Sequence, residues 1–141
     1  MRDLHNNILV KQVIASQTQT NSDTALVGAV IDHQGYDSAE YLINLGAMTD
    51  ADVVGAVLLE ESDSSGSDFA AVADADLLGT EAEAGFTFGD DGEVRKLGYK
   101  GNKRYTRLTI TPTGNNSGAL PIGALCILGN ANLAPVTQSA T

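Results

Sequence analysis

The residue types that most often perform chemistry are scarce in this chain. It has two histidines, His5 and His33, and one cysteine, Cys126, among 141 residues. Neither histidine has a second His or Cys at the spacing of a metal site, and no Gly-x-Ser-x-Gly or comparable motif supplies a nucleophile. Cys126 lies in the apolar run GALCILG, where a buried thiol is the common case. We therefore predict no catalytic residue, no metal site, no cofactor and no enzymatic activity, with solvated histidines and a core cysteine.

Carboxylates are plentiful and cluster in loops. One loop carries Glu60, Glu61, Asp63 and Asp68, and another carries Asp90, Asp91 and Glu93. Oxygen-rich loops can hold calcium, but DDGEVRK lacks the ligand order of an EF-hand loop. A carboxylate pair could also hydrolyse glycosides, but the chain has no tryptophan to line a sugar-binding cleft. We interpret these acids as turn-forming residues.

The basic residues are concentrated in one segment. Six of the eight Lys and Arg residues lie in RKLGYKGNKRYTR, without an acid between them: Arg95, Lys96, Lys100, Lys103, Arg104 and Arg107. If this segment is a hairpin, it forms a basic finger on a chain whose other parts hold all 18 acids, and it is a candidate interface for an acidic partner or an identical neighbour. The alternative is pairing within the subunit with Glu40, Glu60 or Glu61, at about 0.2–1 kcal/mol for each pair.

Length and charge exclude several classes of partner. A chain of 141 residues is the size of one domain. A formal net charge of −10 opposes contact with a phosphate backbone, so we expect no nucleic-acid partner. No apolar run approaches the roughly 20 residues that span a bilayer, so we also expect no membrane partner.

Short apolar or alternating runs, separated by Gly, Asp, Asn and Ser, predict an all-β fold: a single antiparallel β-sandwich or jelly-roll-like barrel. The turns include Gly66, predicted at positive φ, and Asp91-Gly92, a pair that favours type I′ hairpins. One helical turn is expected before Gly79 or Gly85. The eight predicted strands are Ile8 to Ala15, Ala25 to Ile31, Ala39 to Leu45, Val53 to Glu60, Phe69 to Ala73, Glu93 to Tyr99, Tyr105 to Thr111 and Ile122 to Leu128.

The segment DSAEYLINLG, residues 37–46, places large apolar side chains on both faces of one strand. Tyr41, Ile43 and Leu45 alternate and can fill the core, whereas Leu42 points to the other face between Glu40 and Asn44. An apolar residue on that face has a function if a neighbouring subunit covers it. Leu42 is therefore a further candidate interface residue, although a loop of the same chain could also cover it.

Both ends differ from the middle of the chain. We predict an N-terminal arm at residues 1–7, a β-sandwich domain at 8–129 and a C-terminal tail at 130–141. Short flexible arms of this kind can become ordered on a neighbour, and frayed termini are an equal alternative. The candidate arm contacts are Arg2, Leu4, His5, Leu133, Pro135 and Val136.

The order of motifs resembles a known family. MRDLHNNILVKQVIA, GYDSAEYLINLG, VLLEESDSSGSDFAAVADADLLGTE, VRKLGYKGNKRYTRLTITPTG and ILGNANLAPV, in that order, are similar to a family of small proteins encoded in the structural gene clusters of tailed phages and prophages. The resemblance spans almost the whole chain, and its motifs are structural. The family often has a Gly-His-Pro type motif near the end, where this chain has Gly129, Asn130 and Ala131, so any role of that histidine is not carried over.

The resemblance implies a virion protein. It implies most directly a capsid decoration (cement) protein that is assembled in the host bacterial cytoplasm, binds the major capsid protein on the capsid exterior and stabilises the head. Such proteins are commonly homo-oligomers, with a trimer favoured. One alternative is a head-tail connector or tail component. Another is a carbohydrate-binding module on a phage fibre, because the loop SDSSGSDF is similar to loops in sugar-binding sandwiches.

Overall fold

Two antiparallel sheets face each other in the computed structural model, which describes residues 2–137. The predicted all-β sandwich is therefore confirmed. The strands are β1 (Leu9–Thr20), β2 (Leu26–Val27), β3 (Ile31–Asp32), β4 (Tyr36–Leu45), β5 (Val54–Ser62), β6 (Ala70–Ala71), β7 (Leu77–Leu78), β8 (Phe86–Thr87), β9 (Val94–Tyr99), β10 (Tyr105–Thr113) and β11 (Ala119–Ala131).

The first sheet, sheet A, has the strand order β1-β11-β4-β9-β7. The second, sheet B, has the order β2-β10-β5-β6, with β3 paired to β10 and β8 paired to β5. In the centre of sheet A, β4 and β11 pair with Tyr41 opposite Cys126 and Leu42 opposite Leu125. In the centre of sheet B, β10 and β5 pair with Leu108 opposite Leu59.

The core lies between the sheets and is filled by alternate residues of the long strands. Tyr41 and Ile43 of β4 and Leu108 and Ile110 of β10 have no exposed surface. Cys126 is buried beside Tyr41, and burial raises the pKa of its thiol to about 12. The expectation of a core cysteine is confirmed, because a thiol in this environment stays protonated and inert at neutral pH.

The structure corrects several predicted strands. The run Ala25 to Ile31 is two short strands, β2 and β3, and Phe69 to Ala73 is reduced to the two residues of β6. The last strand continues beyond Leu128 to Ala131, so it includes the first two residues of the segment predicted as a tail. The two-residue strands β7 and β8 were not predicted, because a pair of residues has no periodicity.

The turns are partly as predicted. The helical turn is α1 (Glu81–Ala84), which ends at Gly85 and begins with a capping box between Thr80 and Glu83. The prediction for Gly66 was wrong: its φ is outside the left-handed region, and Asp68, with φ of 61°, adopts that conformation in the same loop. The type I′ prediction was also wrong, because a type I′ turn needs two positive φ angles, and Asp91 has φ of −50° while only Gly92 is positive.

Polar contacts join the two sheets at one end of the core. The Tyr41 hydroxyl of sheet A lies 2.5 Å from Thr106 Oγ1 of sheet B, and His33 Nε2 lies 2.6 Å from the same oxygen. The Tyr99 hydroxyl of sheet A donates to Glu61 Oε2 of sheet B at 2.6 Å. His33 is therefore half-buried and hydrogen-bonded, and the expectation that it is solvated was wrong.

No helix among residues 2–137 is both long enough and apolar enough to cross a membrane.

The packing at Gly55 generates a stability prediction. A Cβ atom on Gly55 would overlap the ring of Phe86, which is buried against β5. We expect Gly55→Ala to lower the free energy of unfolding by about 1–3 kcal/mol, measured by urea denaturation, because an overpacked core must shift. Gly66→Ala is the control, since no atom lies within 4 Å of its Cβ position; it should change stability by less than about 0.5 kcal/mol. Equal effects of the two variants would contradict this packing.

The burial of His33 generates a pH prediction. Burial lowers the pKa of His33 from 6.5, and the neighbouring Asp32, itself paired with Arg104, only partly opposes this. The unfolded chain then binds a proton below pH 6.5 more readily than the folded chain, so stability falls as the pH drops from 7 towards the folded pKa. In thermal unfolding at pH 7.5 and 5.5, His33→Gln should lose much of this pH dependence. His5→Gln, at an exposed position, should keep it, and identical behaviour of the two variants would contradict the prediction.

Candidate interaction surface

The predicted basic finger is not a hairpin. Its two strands, β9 and β10, belong to different sheets: β9 pairs with β4 and β7, whereas β10 pairs with β5, β2 and β3. The connection crosses from one sheet to the other, and the Tyr99 hydroxyl holds it by accepting a hydrogen bond from Lys103 N at 3.0 Å. The segment therefore places two basic residues on sheet A, one on sheet B and three in the connection between the sheets.

Four of the six basic residues form ion pairs within the chain. Arg95 lies 2.5 Å from Asp90 and 3.1 Å from Glu93, and Lys103 Nζ lies 2.6 Å from Asp63. These contacts follow the intramolecular alternative, although their acids differ from those considered from the sequence.

The other two pairs involve Arg104, which directly precedes β10, and Arg107 within β10. Arg104 donates two hydrogen bonds to the Asp32 carboxylate, both at 2.9 Å, and this pairing lowers the pKa of Asp32. Arg107 donates to Glu60 Oε1 at 2.9 Å, the carboxylate considered from the sequence, and its guanidinium lies 4.4 Å from the centre of the Phe69 ring. The charge of these arginines is thus already matched inside the subunit.

Lys96 and Lys100 differ from the other four. Neither side chain has an ion-pair partner within 4 Å among the residues that the structure describes. Lys100 follows β9, and its backbone N donates to Asp76 O. Lys96 lies on β9 opposite Leu42 of β4, and is exposed. The register therefore brings together Leu42 and Lys96, which the sequence suggested separately as interface residues.

The outer side of sheet A carries an apolar surface around Leu42. Across the sheet, Leu42 is opposite Leu125 of β11, which is 40% exposed. Ile127, two residues further along β11 on the same side of the sheet, lies opposite Val10 of β1. Val94 of β9 is 59% exposed, and Leu78 of β7, which lies opposite Gly98 of β9, is 52% exposed. We call this set the apolar face: Val10, Leu42, Leu78, Val94, Leu125 and Ile127.

Glu40 is the carboxylate on this face. It lies opposite Ile127 on one side and Gly98 on the other, and its Oε2 would be 2.7 Å from a Cβ on Gly98. No hydrogen-bond donor or cation within ion-pair distance contacts this carboxylate among residues 2–137. Burial raises the pKa of Glu40, and the charge of Lys96 opposes that shift. A cation brought to this position by another molecule would stabilise the carboxylate.

The two terminal segments meet each other. Val136 N donates to Asn6 O at 2.8 Å, and the Val136 side chain is buried. Asp3 accepts hydrogen bonds from the backbone and side chain of Asn6. Among the candidate arm contacts, Leu4 and Leu133 are 64% and 87% exposed, and Arg2, His5 and Pro135 are also exposed. Residues 1 and 138–141 of the predicted arms lie outside the described residues.

Several acidic loop residues have structural partners. Asp50 Oδ2 accepts hydrogen bonds from the backbone N–H groups of Asn116 and Ser117 at 3.0 and 2.8 Å. Asp90 Oδ2 accepts one from Thr87 N at 2.7 Å. The pKa of Asp50 is lowered first by the hydrogen bond that its Oδ1 accepts from Asp52 N and then by the bond from Ser117, and the pKa of Asp90 is lowered first by the bond from Thr87. Such bonds organise turns, as expected for turn-forming acids. Within residues 2–137 no group of three or more His, Cys, Asp or Glu side chains is placed to hold a metal ion.

Comparison with known proteins gives a similarity of fold. No protein-family model matches the sequence. No curated protein matches it either. Among solved structures, the chain is similar to the phage-derived PBSX exported protein XepA, with a TM-score of 0.53 and 13% identity over 94% of this chain. It spans 40% of the length of XepA.

Two further solved structures resemble the chain less closely. The CBM36-1 domain of a multidomain xylanase, from the hindgut metagenome of Trinervitermes trinervoides, has a TM-score of 0.46 and 8% identity over 90% of this chain and 100% of that domain. A disulfide-linked pilus protein of Bacillus endospore appendages has a TM-score of 0.36 and 13% identity over 94% of this chain and 97% of its own.

The paired and unpaired basic residues generate a stability prediction. Arg107→Gln removes an ion pair and an aromatic contact, so the free energy of unfolding should fall by about 1 kcal/mol in urea denaturation. Lys100→Gln removes a charge that has no ion pair among residues 2–137 and should change the free energy of unfolding by less than about 0.5 kcal/mol. A stability loss for Lys100→Gln that equals or exceeds that for Arg107→Gln would contradict these assignments.

Proposed function

We propose that the protein is a structural component of a phage particle, and specifically a capsid decoration protein that binds the outer surface of the major capsid protein lattice and stabilises the head. The order of motifs in the sequence supports this proposal. The shared fold with the phage-derived XepA is compatible with it, although that likeness concerns the fold alone. The protein would act on the capsid exterior, after assembly in the host cytoplasm, as a homo-oligomer.

The observation that carries the proposal is the distribution of exposed apolar side chains. Leu4 and Leu133 project from the joined terminal segments, and Leu125 is exposed on the apolar face. Exposed apolar clusters on a well-packed scaffold are typical of surfaces that bind protein. The titratable groups of the core instead have structural roles: Cys126 is buried, and His33 binds Thr106. We therefore propose a binding role without enzymatic chemistry, cofactor, nucleic acid or membrane.

The terminal segments suggest how the protein attaches. Because Val136 binds Asn6, Leu4 and Leu133 are presented on segments fixed to the sandwich and to each other. A fixed pair of apolar side chains loses less conformational entropy on binding than two free arms would lose. Each contact is small, but many copies on a repeated lattice act together through avidity.

The two alternative functions differ in measurable ways. A head-tail connector occurs as a ring at one vertex of the particle, in about a dozen copies or fewer, and a tail component would not bind tailless shells. A carbohydrate-binding module needs a site for a hydroxyl-rich ligand. A cleft of about 470 Å³, whose lining includes His33, Tyr36 and Arg104, and one of about 600 Å³ beside Phe86 and Arg95 are candidate positions for such a ligand. Binding of glycans by isolated protein would favour this alternative.

Binding to purified shells tests the proposal. We expect the protein to co-sediment with expanded empty capsids, to saturate at hundreds of copies per particle by gel densitometry, and to raise the temperature at which the shells break. Leu4→Asp combined with Leu133→Asp should reduce occupancy at least about tenfold, because both side chains are exposed and would place charges in the contact. The control is Val27→Glu, a comparably exposed position on sheet B.

Two results would contradict the proposal. Failure to sediment with shells at saturating protein would exclude decoration. A stoichiometry of about a dozen copies would instead indicate a ring at one vertex. Unchanged occupancy of the Leu4→Asp, Leu133→Asp variant would leave decoration standing but place the contact on a different surface.

A further inference from the structure

The apolar face carries two groups of opposite charge, Glu40 and Lys96, that form no direct ion pair among residues 2–137. Burial raises the pKa of the Glu40 carboxyl, and the charge of Lys96 in the same chain opposes that shift from beyond ion-pair distance. They lie on neighbouring strands, with Glu40 opposite Gly98 and Lys96 opposite Leu42. They are therefore separated by one strand spacing and two residues, which is about 8 Å between Cα atoms.

This arrangement is self-complementary. Two identical faces can pack together about a two-fold axis that lies in the contact plane. Such an axis can place Glu40 of the first copy next to Lys96 of the second, and by symmetry Lys96 of the first copy next to Glu40 of the second. Leu42 lies between the two charged residues, and Leu125 lies beside it, so each of these leucines stays close to its own counterpart. With standard strand spacings the strands of the two copies cross at roughly 70°, close to the orthogonal class of sheet packing.

We propose that two copies of this chain associate through the apolar face of sheet A, with Leu42 and Leu125 at the centre and two reciprocal Glu40–Lys96 ion pairs around them. This inference does not depend on the proposed capsid function. It replaces the trimer favoured by the family resemblance, because a closed trimer needs two different surfaces on each copy, whereas this face complements itself.

The size of the face predicts the strength of association. Five strands at about 4.8 Å spacing and five residues at about 3.4 Å rise give a face of roughly 20 Å by 17 Å. Two such faces cover about 700 Å² together, which is below the roughly 1,000–1,200 Å² of specific, stable protein contacts and in the range of weak, transient ones. We therefore expect a weak, reversible dimer with a dissociation constant above the micromolar range, which forms at the high local concentration of an assembly.

The outer surface of sheet B differs from the apolar face, because its charged side chains pair with each other. On sheet B, Glu60 and Arg107 are paired with each other, and Arg107 also covers Phe69. Leu58 is 37% exposed there but lies opposite Thr109. With its charges already matched, sheet B provides no complementary pair for a second copy.

Charge reversal tests the inference on the full chain. Sedimentation equilibrium at about 0.15 M salt should show wild-type monomers and dimers. Glu40→Lys alone, or Lys96→Glu alone, should weaken self-association at least about tenfold, because like charges then face each other. An equimolar mixture of the two single variants should associate again, since positions 40 and 96 are both lysine in the first variant and both glutamate in the second.

The apolar centre is tested separately. Leu125→Glu should weaken association at least about tenfold, and Val27→Glu, on the outer surface of sheet B, should change it less than about twofold. Thermal unfolding of each variant checks that the fold is intact. Concentration-independent monomers of the wild type, a trimer, or unchanged dimers for Leu125→Glu would overturn the proposal, as would failure of the mixed charge variants to associate. If the dimer forms but capsids are not bound, only the proposed function fails.

Discussion

The pairing of β4 with β11 in the middle of sheet A is the constraint on which the rest of the structure depends. Its register places Tyr41 and Cys126 on the inner side and Leu42 and Leu125 on the outer side. A shift of one residue would exchange the two sets, expose Tyr41 and Ile43, and bury Glu40. Because Tyr41 also binds Thr106 of sheet B, the same register aligns the two sheets with each other. One pairing thus determines both the core and the composition of the apolar face.

Strong alternation made much of the fold predictable from the sequence. In Tyr105–Thr113 and, apart from Leu42, in residues 39–45, apolar and polar residues alternate, and both segments are strands with the expected inner faces. Sequence alone could not show that β9 and β10 belong to different sheets, because a short Gly-containing connection fits a hairpin as well as a crossing between sheets. Whether the connection forms a hairpin or crosses between the sheets depends on contacts with residues distant in sequence, such as Glu61, which binds Tyr99.

The candidate site was predictable only in part, for a similar reason. The cluster of basic residues was visible in the sequence, but its neutralisation was not, because Asp32, Asp63 and Glu60 come from distant segments. Leu42 was recognisable as an outward apolar residue because it interrupts a polar side of one strand. Leu125 was not recognised, since GALCILG is apolar throughout and does not reveal which side of the sheet each residue faces. His33 was misassigned because a DHQG turn usually predicts solvent exposure.

The two outer surfaces of the sandwich therefore differ in whether their charged side chains form ion pairs within the chain. On sheet B, Arg107 is held by Glu60 and Phe69, so a partner would have to break existing contacts before making new ones. On sheet A, Glu40 is already partly desolvated and, among residues 2–137, lacks a hydrogen-bond donor, so a cation from outside gains an interaction at little further desolvation cost. Exposed leucines occur on both sheets, but among residues 2–137 only those on sheet A surround charged groups that have no direct ion pair. Specific association needs both features, because apolar area provides attraction and opposite charges determine the register of the contact. Within the described part of the chain, the absence of a direct ion pair for Glu40 and Lys96, rather than the density of basic residues, is thus the feature that distinguishes a binding surface from a stabilised one in this fold.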